Sequence, residues 1–99
     1  MKVVWSPRGR ADYKRLLGFI AGDSPNNVFI VQQRISKTIS LLTDFQFKQV
    51  GPRPNTFQQS IQKTSYFVIY KFSDEETLEI VAFFHAARDW AKFSDKDPQ

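Results

Sequence analysis

The stretch IVAFFHAARDW (residues 80–90) ends an apolar run on His85, the only histidine of the chain, and places Arg88 three residues later. Imidazole can carry a proton near neutral pH, and a guanidinium can grip a phosphate or carboxylate through paired hydrogen bonds. Tyr66 and Tyr70 share one parity of the preceding apolar run and could bring hydroxyls to its rim. The same residues also allow a purely structural arrangement, with Arg88 paired to Asp89 or another acid and His85 bonded to backbone at a strand end. Residue type alone leaves both open.

Arg8, Arg10, Lys14 and Arg15 form a second candidate group near the start of an expected helix. Cations at a helix N-terminus oppose its dipole, so clustering them there suggests contact with an acidic partner or with phosphates. A solvated helix face is the plainer alternative. Arg53, in a turn-rich loop, and Trp90, just past the last apolar run, complete the candidate binding residues.

Much chemistry is missing. There is no cysteine, so disulfides and thiolate catalysis are excluded. One histidine makes a histidine-based metal site improbable. No phosphate-cradling glycine loop and no Ser/His/Asp elbow occurs, so no cofactor and no metal are expected. Asp23, Asp44, Asp74, Glu75 and Glu76 fall where turns are expected, and no carboxylate pair stands out.

The elements that must position these residues are readable. Lys2–Trp5 is a β-branched and aromatic run, expected as a strand. Ser6-Pro7 is a helix start, with Ser as N-cap and Pro in the first turn. Tyr13, Leu16, Leu17 and Ile20 then form an amphipathic stripe that Gly22 is expected to end. Ser24-Pro25 is expected to open a second helix, with Val28, Val31, Ile35, Ile39 and Leu42 on one face. The short connection between them implies a helical hairpin.

Gln49–Phe57 is loop, and three extended runs follow at Phe57–Lys63, Tyr66–Phe72 and Thr77–His85. The last two are apolar at both parities, which predicts a sheet covered on both faces. The helices cover one face; Trp90 and Phe93 could cover part of the other, and residues 94–99 are expected to fray.

The reading is a single α+β domain over residues 1–99: β-α-α-β-β-β, a helical hairpin on a small, mostly antiparallel sheet, with a short C-terminal helix or tail. A chain of 99 residues with 41% hydrophobic residues can bury one core. No stretch suits a signal peptide or a membrane span, so a cytoplasmic protein without membrane contact is expected. Charge is uneven: residues 1–71 carry 11 Lys or Arg against 3 Asp, whereas residues 72–99 carry 3 against 7 Asp or Glu. The basic part favours an acidic or nucleic-acid-associated partner.

Taken in order, these pieces resemble the RelE/ParE superfamily of toxins from type II toxin–antitoxin pairs, ParE-like branch. The resemblance rests on Trp5-Ser6-Pro7, Phe19-Ile20-Ala21, Asp23-Ser24-Pro25, the Gly51–Arg53 loop, the Tyr66–Tyr70 strand and His85-Ala86-Ala87-Arg88-Asp89-Trp90, across residues 3–90. It implies an antitoxin whose C-terminal segment wraps the toxin, hence a toxin–antitoxin hetero-oligomer. RelE-like members cut messenger RNA on the ribosome with lysines on the second strand and arginines on the third strand and after the fourth. ParE-like members poison DNA gyrase.

By an ungapped alignment on Tyr66, the nuclease cation positions fall on Gln58, Ser60, Phe67 and Ala87, none of them cationic. Lys63, Lys71 and Arg88 are nearby but displaced. The resemblance therefore implies growth arrest by gyrase binding without catalytic residues. A ribosome-dependent ribonuclease using Tyr66, Tyr70, His85 and Arg88 is the alternative, and an inactive homologue that only binds antitoxin is a third. Target or partner contacts would come from Arg8, Arg10, Lys14, Arg15, Arg53, Arg88 and Trp90.

Overall fold

A computed structural model of the chain describes residues 1–89; the expectations for Trp90, Phe93 and residues 94–99 lie outside the described residues. The element order is β1 (Lys2–Trp5), α1 (Pro7–Asp23), α2 (Asn27–Phe45), β2 (Phe57–Ser60), β3 (Tyr66–Asp74) and β4 (Thr77–His85). Two helices pack on a four-stranded sheet of order β1-β4-β3-β2, antiparallel except for the parallel β1–β4 pair. This is the expected α+β order.

Ser6 starts α1 as its residue type suggested. Its Oγ accepts the Gly9 N–H at 2.9 Å and donates to the Val81 carbonyl at 2.7 Å, so one hydroxyl ties the helix start to β4. Gly9 lets the two come close: a β-carbon there would lie 2.7 Å from the Ile80 carbonyl oxygen. Leu16 is buried, and Tyr13, Leu17 and Ile20 pack against the same core.

Two helix boundaries differ from the sequence reading. Gly22 does not end α1, which runs to Asp23 and closes on Ser24, whose N–H bonds to the Ile20 carbonyl. Ser24 precedes Pro25, and the proline ring disfavours helical backbone at the residue before it, so the stop falls there. Ser24 is thereby used to finish α1 rather than to cap α2, which begins at Asn27 after a tight turn. The first of the three extended runs is also shorter than expected, ending at Ser60 instead of Lys63.

The core lies between the helices and one sheet face. Leu16, Val31, Ile35, Leu42, Ile61, Val68, Tyr70, Leu78, Ile80 and Phe83 form it. Ile69, Ala82 and Phe84, with Phe67 and Val81, make a second cluster on the outer face, as the two-parity pattern predicted. A β-bulge adds to that pattern. Ile69 pairs with Ala82 but Tyr70 with Ile80, leaving Val81 as an extra residue in β4. Side-chain alternation slips by one at such a bulge. Leu78 and Ile80 face the helices before it, and Phe83 does so after it.

Candidate functional site

The site is built where β4 outruns β1. The parallel ladder ends at Trp5–Ile80, so the β4 edge beyond it needs other partners for its backbone groups. Side chains supply them. Ser6 Oγ donates to the Val81 carbonyl, Asp12 accepts the Phe83 N–H at 3.1 Å, and Asp89 accepts the His85 N–H at 2.9 Å. Asp12 is only 5% exposed. Its charge is balanced by Arg15 at 2.9 Å and Arg8 at 3.4 Å, one helical turn to either side. Two members of the basic cluster are thus drawn to a buried acid, which accounts for cations near the start of α1. Arg10 and Lys14 are exposed.

The bulge at Val81 turns His85 to the same sheet face as Tyr66, its register partner, and the rings meet edge to face at 5.2 Å. Beyond the strand the chain folds back tightly. His85 Nδ1 accepts the N–H groups of Ala87 and Arg88 at 3.2 and 3.1 Å, and the Asp89 N–H bonds to the His85 carbonyl. Arg88 does not pair with Asp89, whose carboxylate serves the His85 N–H. Instead its Nη2 donates to the Tyr66 hydroxyl at 2.9 Å, and its guanidinium lies over the Phe19 ring, 4.5 Å from the centroid.

Tyr66, His85 and Arg88 are therefore brought together, and Tyr70 is not. Tyr70 is fully buried, packed at tilted and edge-on angles against Phe57 and Phe72, and its hydroxyl donates to the Phe47 carbonyl. Burial pushes its pKa from the usual 10.0 up to about 12. It is a core residue rather than part of the cluster.

Two hollows flank the Phe19–Tyr66–Arg88 ridge. One, of about 490 Å³, is bordered by Asp12, Arg15 and Asp89; the other, of about 480 Å³, by Arg34, Lys63 and His85. Arg8 and Arg53 sit elsewhere, around a hollow whose floor is Ile69, Val81 and Ala82 on the outer face. The candidate cations are thus divided between the two faces. Chemically, the ridge offers a guanidinium held in a fixed plane, suited to carboxylate or phosphate. Among the described residues no group of three His, Asp or Glu side chains could hold a metal ion, and no helix is long and apolar enough to cross a membrane.

Asp12 and Arg34 were not singled out from the sequence, and Lys63 stood out only as a cation displaced from the nuclease positions. For Asp12 a signal existed: it sits four residues before Leu16 on the buried stripe, with arginines at helical spacing on either side. For Arg34, and for its meeting with Lys63, there was none, because the two come from separate elements that meet only in the fold.

This architecture is similar to that of several solved toxin structures. A chromosomal ParDE toxin–antitoxin system from P. aeruginosa aligns with a TM-score of 0.72 at 12% identity, covering 86% of this chain and 95% of that one. A YoeB/ParE toxin from Agrobacterium tumefaciens aligns at 0.60 and 18% identity, covering 86% and 98%. The E. coli RelBE toxin–antitoxin complex aligns at 0.63 and 13% identity, covering 88% and 98%. No curated protein sequence matches the chain. The sequence profile described as "ParE toxin of type II toxin-antitoxin system, parDE" matches residues 3–90. The chain belongs to that family: it is a ParE-type toxin of a type II toxin–antitoxin system.

Proposed function

We propose that this toxin acts by binding DNA gyrase and blocking its cycle, and that a cognate antitoxin holds it silent. The observation that carries the first part is the make-up of the outer sheet face. By the ungapped alignment on Tyr66, the positions where the nuclease branch of the wider superfamily carries cations fall on Gln58, Ser60 and Phe67 of that face. They are register neighbours there, Ser60 opposite Phe67 and Gln58 opposite Ile69. Phe67 is stacked on Phe84 at 5.2 Å. An amide, a hydroxyl and stacked rings cannot balance the charge that develops on phosphate oxygens during RNA cleavage. Lys71, on the same strand, lies 3.9 Å from Glu79. Ala87 contributes no charge.

The antitoxin reading draws on the family itself and on the ParDE and RelBE systems, which pair a toxin with an antitoxin. The excess of cations in residues 1–71 suits a partner with an acidic segment.

One observation favours a second reading. Tyr66, His85 and Arg88 converge, which would give a ribosome-dependent ribonuclease a rebuilt site on the helix-facing side. Pulse-labelling of DNA and protein synthesis in the minutes after induction without antitoxin separates the two. DNA synthesis is expected to fall first. If translation falls first, the gyrase reading is wrong and the Tyr66–Arg88 cluster becomes the site to dissect. Absence of any growth arrest would leave an antitoxin-binding homologue without a target.

A further inference from the structure

The hollow bordered by His85 lies between the tip of the helical hairpin and the turn at residues 61–65 that joins β2 to β3. Three cations from three separate elements line it: Arg34 from α2, Lys63 from the turn, and Arg88 from the segment after β4. Among the described residues none of the three is ion-paired. Arg34 Nη1 reaches the Lys63 carbonyl at 3.4 Å, and Arg88 Nη2 reaches the Tyr66 hydroxyl. Asp23 is the single carboxylate on the lining. Like charges gathered around one hollow repel, and an anionic occupant relieves that repulsion.

Lys63 adds an independent observation. Its φ is 61°, in the left-handed region where a β-carbon is strained and glycine is at ease. The turn therefore holds a lysine where glycine would fold more easily. Backbone strain of this kind gathers at functional positions, where the side chain is needed despite its cost.

The rest of the lining indicates the kind of occupant. Phe19 and Ile30 are large apolar side chains exposed at 52% and 42%. Phe19 is already covered by Arg88, and Tyr66 packs edge to face with His85, so the rings are not laid out as a platform for stacked bases. Ile30 offers apolar area that suits a side chain rather than a base.

We propose that this hollow docks an acidic peptide segment of a partner protein, its carboxylates held by Arg34, Lys63 and Arg88 and its apolar side chains laid on Ile30 and on the part of Phe19 that Arg88 leaves open. The inference rests on the toxin–antitoxin reading for the partner's identity, and the segment is assigned to the antitoxin.

Calorimetric titration of the full chain with its antitoxin tests it, using Lys63→Gly, Arg34→Ala and the double variant. Each single change is expected to weaken binding by about tenfold or more, and the double by more than either alone, though not by the simple product because the two residues touch. The melting temperature of Lys63→Gly should be held or raised, because glycine relieves the left-handed strain. Unchanged affinity in the double variant overturns the docking site and leaves the toxin–antitoxin reading standing. A lower melting temperature accompanying weaker binding in Lys63→Gly assigns the lysine a structural role and also overturns it.

A short fluorescein-labelled single-stranded RNA is the second probe. RNA binding that depends on Arg34 and Lys63, with antitoxin binding untouched, assigns the hollow to nucleic acid and overturns the proposal. An unaltered chain that binds no antitoxin removes the toxin–antitoxin reading, and the proposed occupant with it.

Discussion

Asp12 joins helix, sheet edge and surface charge through one carboxylate. It accepts the Phe83 N–H in a buried position and faces Arg8 and Arg15, so it is satisfied on every side. Removing it orphans a buried backbone donor and leaves two arginines repelling each other. Asp12→Ala is expected to destabilise the fold by about 2–4 kcal/mol in chemical denaturation. Asp12→Asn, which can still accept from Phe83, should lose less than half of that. Equal losses would mean that the charge, not the accepted hydrogen bond, matters most. Acids are ordinary turn and cap residues, and Asp74 is one: its carboxylate accepts the Glu76 N–H and is held below its usual pKa by that bond. Asp12 is not legible in this way, because a helical position reveals the face a residue takes, not which strand edge lies opposite.

At the scale of elements, α2 ends on Gln46 with φ 51° and ψ 49°, a left-handed cap in which the Gln46 N–H bonds to the Leu42 carbonyl. Glycine is the usual residue there because it lacks the β-carbon that makes this backbone strained. Gln46→Gly is expected to stabilise by about 0.5–1 kcal/mol, read as a raised denaturation midpoint at unchanged slope. A lowered midpoint would show that the glutamine side chain makes a compensating contact. Strand and helix existence was legible throughout, since hydrophobic period is local. The boundary at Ser24 was misjudged because one Ser-Pro pair can both end a helix and begin one. Here the hydrogen bond to Ile20 commits Ser24 to the first.

Across the whole molecule, large apolar side chains remain on the surface of a basic protein. Phe45 and Phe47 are stacked at 5.9 Å and exposed at 64% and 47%, with exposed Leu41 and Val50 also in the α2–β2 region. A patch of this kind drives association when no partner covers it. The isolated chain is expected to self-associate at high concentration, and Phe45→Ser with Phe47→Ser should shift sedimentation velocity toward monomer. The melting temperature should change little, because neither ring is in the core. Unaltered sedimentation would show that the patch is not what brings copies together.

The sequence by itself determined the order of elements, the Ser6-Pro7 helix start, the helix stripes and the apolar strands, and through them the family. Each of these depends on residue types at local spacing, which the chain carries along its length. Tertiary structure alone decided the site. The bulge at Val81 sets which face His85 takes, Asp12 finds its donor 71 residues away, and Arg34, Lys63 and Arg88 meet from three elements. Such meetings depend on register and packing between distant segments, and a one-residue slip in β4 would turn His85 to the opposite face.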